Sequence, residues 1–278
     1  MKAKTGCWNN NVRPTGKIAL WAAALGLLLC ASVRADNIAY MGTVSGQFGT
    51  IDLNTGAFTS LGNSGVTLAG MAVDNATLYG SSYHTAAGDL YTENPANGAV
   101  TIVGTSGIDY DDFGSTTNGL YAIGTNADLY SINASTGAAT LIGATGLSFG
   151  SWRSLSTNSS TLYFANGTDL YTISTTTGAA TLVGSLGSEE EGALLLEGGV
   201  LYGGDDSPGG TVDTINTTTG AATVGPSVTG TSSAFFALAP NPLPASAVPE
   251  PRSWISLATI ITVLALWRGR LARRRSAD

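Results

Sequence analysis

A ten-residue pattern that recurs five times without a gap constrains the fold of this chain more than any other feature. The five segments occupy residues 47–56 (QFGTIDLNTG), 89–98 (DLYTENPANG), 128–137 (DLYSINASTG), 169–178 (DLYTISTTTG) and 211–220 (TVDTINTTTG). Each segment ends in glycine, and the segments recur at a distance of about 40 residues, which is typical of repeated structural units. A weaker Leu-Tyr motif recurs between them, at Leu78-Tyr79, Leu120-Tyr121, Leu162-Tyr163 and Leu201-Tyr202.

The period and the strand-forming composition together predict a β-propeller. About four short strands per unit of about 40 residues is the pattern of a propeller blade, whereas helical repeats of that length need apolar residues at 3.6-residue spacing. In the second unit we predict strands at residues 70–74, 77–81, 89–93 and 99–103. The final glycine of each segment favours a tight hairpin, because glycine tolerates the positive φ that such turns need.

The two ends of the repeat region predict how the array closes. Only two strands fit before Gly56, and residues 233–240 (SAFFALAP) form a lone strand with no unit after it. If this strand joins the N-terminal unit, five four-stranded blades close into a ring, and the edges of an open array are removed. The predicted fold class is therefore all-β, a five-bladed propeller. An open solenoid is the alternative, and the resemblance to quinoprotein-type and NHL-type propellers is at the level of the fold.

The charge of the repeat region excludes one class of partner. Arg153 is the only Lys or Arg between residues 36 and 240, a stretch that holds most of the 19 acidic residues of the chain. A strongly negative domain repels DNA, RNA and anionic lipid surfaces and favours cations or neutral polymers. We therefore expect no nucleic-acid partner.

The C-terminal segment has three parts in a fixed order. Pro249, Glu250 and Pro251 precede an apolar run at residues 253–267 (SWISLATIITVLALW), and a basic tail follows at residues 268–278. This arrangement resembles the PEP-CTERM sorting signal of Gram-negative bacteria. The resemblance implies that an exosortase-type sorting protease reads the signal and delivers the protein to the cell surface or the extracellular matrix.

The physical properties of the segment agree with a weak membrane anchor. As a helix the apolar run rises about 22 Å, less than the roughly 30 Å of a bilayer core. The positive-inside rule keeps the arginines after the run in the cytoplasm and places the repeat region outside. The alternative is an ordinary C-terminal anchor that is never cleaved.

The N-terminal segment predicts export. Basic residues precede an apolar run at residues 18–31, and Val33-Arg34-Ala35 puts small residues where signal peptidase reads them. Cleavage there makes Asp36 the first residue and removes Cys7 and Cys30, so the exported part has no disulfide. The predicted organisation is a signal peptide (1–35), a propeller ectodomain (36–240), a Pro-rich linker with the Pro-Glu-Pro motif (241–252), a transmembrane helix (253–267) and a basic cytoplasmic tail (268–278).

The candidate site lies on the propeller face that carries irregular loops. We expect the loops that enter each innermost strand to supply ligand-binding residues, with Tyr110, Trp152 and Glu191 in one column and Asp111 and Arg153 in the next. The complete candidate set is Tyr110, Asp111, Asp112, Trp152, Arg153, Glu190 and Glu191. Aromatic side chains beside carboxylates stack on and hydrogen-bond a sugar ring. The alternative is that these acidic loops only solvate an exported domain. Arg153 is predicted to form an ion pair with Asp111 or Glu191. The alternative is that it binds an anionic saccharide.

Other chemistries have less support in the sequence. His84 is the only histidine, so a Ser-His-Asp hydrolase would rest on one unsupported residue, and no catalytic residue is predicted. Ca²⁺ remains possible at Asp109, Asp111 and Asp112 or at Asp205 and Asp206, because it takes six to eight oxygen ligands. No zinc site is predicted. We interpret the repeated Asp89, Asp128 and Asp169 as caps of backbone amides at turns.

These observations predict a non-enzymatic binding or structural module associated with extracellular polysaccharide. The alternatives are a carbohydrate-active hydrolase or lyase that uses a pair of carboxylates about 5–10 Å apart, and a calcium-stabilised scaffold. Carboxylates splayed into solvent favour the matrix role.

Overall fold

The computed structural model describes residues 37–150, 152–187, 191–205, 207 and 209–241, and all regular structure within these ranges is β-strand. The predicted signal peptide, the Pro-Glu-Pro motif, the membrane helix and the basic tail lie outside the described residues. No helix in the described part of the chain has the length and apolar character needed to cross a bilayer.

The described part of the chain contains short strands in close succession. They are β1 (Ile38–Thr43), β2 (Gln47–Asp52), β3 (Phe58–Asn63), β4 (Leu68–Asp74), β5 (Thr77–Ser82), β6 (Asp89–Glu93), β7 (Val100–Thr105), β8 (Tyr110–Thr116), β9 (Gly119–Gly124), β10 (Asp128–Ile132), β11 (Ala139–Ala144), β12 (Arg153–Thr157), β13 (Leu162–Asn166), β14 (Asp169–Ile173), β15 (Ala180–Ser185), β16 (Glu191–Glu197), β17 (Val200–Asp205), β18 (Val212–Ile215), β19 (Ala222–Thr223) and β20 (Phe235–Pro240). In the second unit, β4 to β7 lie within two residues of the predicted strands. The prediction of these four strands is confirmed.

The strands form antiparallel meanders arranged as a β-propeller. Three sheets have four strands each, in the orders β20-β1-β2-β3, β4-β5-β6-β7 and β8-β9-β10-β11. The fourth sheet has eight strands, in the order β15-β14-β13-β12-β16-β17-β18-β19, because β12 and β16 pair in parallel at Ser156↔Leu194 and Thr157↔Leu195. The first strands of successive meanders, β4, β8, β12, β16 and β20, contact one another in that order, and β20 contacts β4.

The last strand completes the first sheet, as its sequence predicts. β20 pairs with β1 in antiparallel register, with Met41 opposite Leu238 and Ala39 opposite Pro240. The two ends of the described chain are therefore joined by backbone hydrogen bonds. This pairing leaves no unpaired strand at the inner edge of the first sheet.

The repeated segment forms the same turn in every copy. In the second unit, Gly98 has φ 74° and its N–H donates to the carbonyl of Asn94 at 2.7 Å, while the N–H of Ala96 donates to Asn94 Oδ1 at 2.9 Å. Side-chain oxygens of Asp52, Asn133, Ser174 and Asn216 cap the equivalent turns. The turn glycines are confirmed, because each adopts a positive φ that other residues rarely adopt.

The core lies between neighbouring sheets. Ile132 of β10, for example, packs with Leu90 and Ala69 of the preceding sheet, and Ile173 of β14 packs with Leu129 of the sheet before it. Each such side chain contributes about 1.5–3 kcal/mol when fully buried. The stability of the domain therefore depends on contact between successive repeats, and a single sheet has no core of its own.

Neighbouring sheets also meet through their backbones. The outermost strand of one sheet carries a glycine against which the turn of the next repeat packs, and a Cβ at Gly184 would overlap the carbonyl oxygen of Thr219. Gly62, Gly104 and Gly143 occupy the same position in other sheets.

We expect Gly184→Ala to destabilise the protein by about 3 kcal/mol, because the added methyl group must displace the backbone of the neighbouring turn. Gly42→Ala is the matched control, since its Cβ would lie at an ordinary 3.5 Å from Ala237 Cβ. Urea unfolding of both variants measures the difference. Equal midpoints for the two variants would contradict this account of how the sheets pack.

Candidate functional site

The predicted site residues lie in strands more than in loops. Tyr110, Asp111 and Asp112 open β8, Arg153 opens β12 and Glu191 opens β16. The prediction that loops carry these five residues is wrong, because the innermost strands extend further toward this face than the sequence pattern suggests. Trp152 lies just outside a strand, and Glu190 lies outside the described residues.

A β-bulge sets the direction of Asp111. The pairing of β8 with β9 shifts register between Tyr110 and Asp112, so Asp111 is the extra residue of the bulge. Bulges bend a strand locally and re-aim a side chain. The same shift occurs in β4 at Ala69 and in β16 at Gly192, so the bulge is a property of the repeat. Among these three bulges, only that of β8 has a charged residue, Asp111, as its extra residue.

Asp111 and Arg153 form an ion pair between two neighbouring sheets. Arg153 donates from Nε and Nη2 to the two carboxylate oxygens of Asp111, with Nη2 at 2.6 Å from Oδ1. Its Nη1 donates to the carbonyl of Gly150 at 2.6 Å, and the guanidinium lies 4.6 Å from the centre of the Phe149 ring. The side chain of Asp111 is 1% exposed and that of Arg153 is 17% exposed.

This geometry confirms the predicted pairing of Arg153 with Asp111. Burial disfavours the charged guanidinium, but the hydrogen bonds and the charge of Asp111 outweigh that effect, so the pKa of Arg153 is raised above its ordinary value. Three of its five N–H donors are used within the protein. The guanidinium therefore holds two sheets together and has few donors left for an anionic ligand.

His84 adds a second basic group to the same carboxylate. Its Nε2 lies 3.7 Å from Asp111 Oδ1 and its Nδ1 lies 3.7 Å from Asp109 Oδ1. The imidazole is 40% exposed, and its centre lies 4.0 Å from the centre of the Tyr83 ring. We call Asp109, Asp111, His84 and Arg153 the Asp111 cluster. It joins the second, third and fourth repeats. His84 was not among the site residues predicted from the sequence.

Asp112 is buried beside this cluster. Its Oδ1 accepts a hydrogen bond from the N–H of Phe113 at 2.6 Å. Burial raises the pKa of Asp112 well above its usual range, and the negative charge of Asp111 adds to this effect more weakly. The neutral acid is therefore favoured at a pH where an exposed aspartate is charged.

A small cavity lies where the innermost strands converge. It has about 160 Å³ of empty space, part of it open to solvent. All five innermost strands line it, through Gly70, Asp112, Leu155, Ala193 and Ala237. Because much of this space is open to solvent, the enclosed part has room for about one water molecule and does not fit a sugar ring.

The remaining predicted residues divide into buried and exposed groups. Glu191 is completely buried, and its carboxylate packs against Gly203 so closely that a Cβ there would overlap it. Tyr110 is also completely buried. Trp152, by contrast, is 41% exposed. The interpretation that these acidic residues only solvate the domain is wrong for Asp111, Asp112 and Glu191, because none of the three reaches solvent.

The aspartates that begin β6 and β10 have a different role from the predicted one. Asp89 Oδ2 accepts a hydrogen bond from the hydroxyl of Tyr91 at 3.1 Å, and Asp128 Oδ2 accepts one from Asn126 Nδ2 at 2.8 Å. The prediction that Asp89 and Asp128 cap backbone amides is wrong. The capping oxygens belong instead to the residues that begin the repeated turns.

The calcium hypothesis involves two places in the fold. In the described part of the chain, no three His, Cys, Asp or Glu side chains come together in a group that could hold a metal ion. Asp205 accepts hydrogen bonds from the N–H and the hydroxyl of Ser207, at 2.9 and 2.7 Å. Asp206 lies outside the described residues.

Comparison with known proteins shows the fold alone. No protein family and no curated protein matches the chain. Among solved structures, a structural genomics protein of unknown function from Bacteroides thetaiotaomicron is 16% identical with a TM-score of 0.53 over 74% of this chain, and a nidogen/laminin complex is 10% identical with a TM-score of 0.50 over 73%. TolB from Acinetobacter baumannii is 14% identical with a TM-score of 0.45 over 74% of this chain.

The three likenesses differ in how much of the other protein they cover. The chain spans 62% of the Bacteroides protein, 57% of TolB and 97% of the matched chain in the nidogen/laminin complex. It therefore covers less than two thirds of the first of these structures. At these identities the likeness extends to the all-β propeller architecture.

Proposed function

We propose that this chain is an exported PEP-CTERM protein whose propeller is a non-enzymatic module of the cell surface or extracellular matrix. The observation that carries the proposal is the order of the C-terminal segment: Pro-Glu-Pro at residues 249–251, an apolar run and an arginine-rich tail. The N-terminal signal sequence supports the same destination. In this proposal the chain is first anchored in the inner membrane by the helix at residues 253–267 and then sorted outward.

The proposed architecture is a ring of five blades. Three blades are the four-stranded sheets, and the other two are the halves of the eight-stranded sheet on either side of the β12–β16 contact. The ring contact from β20 back to β4 supports this count. A closed ring is a rigid module that needs no partner to cover sheet edges on its inner side.

The geometry of the site supports a non-enzymatic role over the hydrolase alternative. A glycosidase needs two carboxyl groups that reach the substrate. The carboxylate of Asp111 accepts hydrogen bonds from Arg153, and the side chains of Asp112 and Glu191 are buried, so none of the three is presented to a substrate at the surface. The exposed groups at this face include Trp152, His84 and Asp109, which suit stacking and hydrogen bonding to a neutral saccharide.

The first experiment follows the tail in the native host. We expect the mature protein to lack the residues after the Pro-Glu-Pro motif and to be recovered from the surface or the medium. A variant in which the arginines of residues 268–275 are replaced by serine should remain full-length in the inner membrane. Intact mass and fractionation measure both. A wild-type protein that stays full-length in the inner membrane would overturn the sorting proposal.

A second readout tests the polysaccharide partner. The released protein should sediment with the exopolysaccharide of its host, and Trp152→Ala should reduce the bound fraction without changing the unfolding midpoint. Val200→Ala is the matched control, since Val200 is also an exposed apolar residue at 39% exposure but lies outside this set of residues. Release of new reducing ends from the polysaccharide would favour the hydrolase alternative.

A further inference from the structure

One repeat carries a carboxyl group where the others carry isoleucine. The fifth position of the repeated segment is Glu93 in the second copy and Ile51, Ile132, Ile173 and Ile215 in the others. All five side chains are buried, and Glu93 is 4% exposed. The fold therefore places an ionisable group at a position built for an aliphatic one.

The equivalent isoleucines show which surface Glu93 occupies. Each of three equivalent isoleucines faces the preceding repeat. Ile132 packs on the second sheet and Ile173 packs on the third sheet. Ile215 packs beside Ala165 and Leu170 of the fourth repeat. By the same register Glu93 faces the first sheet, the one that β20 completes. The apolar cluster at that interface contains Tyr40, Phe48 and Leu78.

The carboxyl of Glu93 has no compensating partner in the described part of the chain. Neither of its oxygens is exposed, and neither has a hydrogen-bond partner among the described residues. Burial alone raises its pKa to about 8. An ionised carboxylate without a partner costs several kcal/mol in such surroundings, so the neutral acid is favoured in the intact interface below about pH 8.

The other titratable groups of the packed elements do not offset this cost. Tyr40 of β1 and Tyr91 of β6 belong to or pack on the same cluster, and burial is the main cause that raises the pKa of each. Asp89 accepts the hydroxyl of Tyr91. Asp52 ends β2 and Asp74 ends β4, and both are partly exposed acids that add negative charge only.

We propose that Glu93 makes the packing between the first and second sheets sensitive to pH, so that ionisation of this one carboxyl loosens the contact beside the sheet that β20 completes. The isoleucines at the equivalent positions make the other repeats insensitive to this effect. The interface between the first and second sheets therefore loosens as Glu93 ionises at mildly alkaline pH.

The direction of the pH effect follows from proton linkage. A carboxyl whose pKa is raised on folding binds a proton in the native state and releases it on unfolding. Its contribution to stability is complete below the unfolded pKa of about 4.5 and is lost as the pH rises to about 8. Between these values the folding equilibrium constant falls about tenfold per pH unit for this one group.

The test compares wild type with Glu93→Ile and Glu93→Gln by urea unfolding at pH 5 and pH 8. Because all other ionisable groups are shared, the ratio of folding constants isolates Glu93. We expect the folding constant of wild type to fall about 400-fold relative to that of Glu93→Ile over this interval. Glu93→Gln keeps a polar group but cannot ionise, so it should show the same flat pH response as Glu93→Ile at lower overall stability.

Hydrogen exchange, corrected for the intrinsic pH dependence of exchange, locates the effect. Peptides from β1, β5 and β6 should lose protection in wild type at pH 8 relative to peptides from β9 and β10, and Glu93→Ile should remove the difference. An equal ratio of folding constants at both pH values would overturn the proposal. A uniform loss of protection over all sheets would also overturn it.

Discussion

A chain that ends after residue 233 is expected not to fold, whereas a chain that ends at residue 241 is expected to fold as the wild type does. β20 pairs with β1 over its whole length and buries Phe235, Leu238 and Ala239 almost completely. Burying the phenylalanine and the leucine alone stabilises the fold by about 1.5–3 kcal/mol each, before any backbone hydrogen bond is counted. Loss of the strand removes an amount comparable with the whole net stability of a typical domain, about 5–15 kcal/mol.

Circular dichroism and thermal unfolding of the two chains measure this effect. The chain that ends at residue 241 is the matched control, because it removes the proposed sorting segment and leaves every strand of the described residues in place. A cooperative unfolding transition at the wild-type temperature in the shorter chain would show that β1 does not need its C-terminal partner. Pro240 precedes the predicted motif at Pro249, so removal of the tail at that motif would leave β20 intact.

Arg153→Met is expected to destabilise the protein by about 3–5 kcal/mol, the usual effect of removing one partner from a buried ion pair. Asp111 would keep a carboxylate that is 1% exposed and lose both of its hydrogen bonds to the guanidinium. No other Lys or Arg between residues 36 and 240 could take its place. Methionine keeps an apolar stem near Phe149, so the loss of stability comes mainly from removal of the positive charge.

A double variant separates the ion pair from simple loss of packing. Asp111→Asn combined with Arg153→Met removes both charges and should recover most of the stability that Arg153→Met alone loses. Asp109→Asn is the control, since that carboxylate is 38% exposed and should change stability by less than about 0.5 kcal/mol. Urea midpoints for wild type, Asp111→Asn, Arg153→Met and the double variant complete the cycle. A midpoint for Arg153→Met close to that of wild type would show that Asp111 is not held by this pair.

The candidate site could be predicted only in part from the sequence. The partnership of Asp111 with Arg153 was predictable because Arg153 is the only strong cation in an acidic domain. The burial of Asp112 and Glu191 was not, because it depends on bulges and on the close approach of neighbouring strands. Glu93 did carry a sequence signal, since the other four repeats have isoleucine at its position, but its lack of a partner required the packed structure.

The sequence by itself determined the repeat, its turns, the strands of each unit and the pairing of the last strand with the first. These features depend on local chemistry: turn glycines at positive φ, side-chain caps, and short strands at a fixed period. Only the tertiary structure decided which acidic groups reach solvent. Asp111, Asp112, Glu191 and Glu93 are buried because side chains from separate repeats meet across the interfaces between sheets. Contacts between residues far apart in the chain leave no local pattern, so the burial of a charge is decided where the sheets pack together.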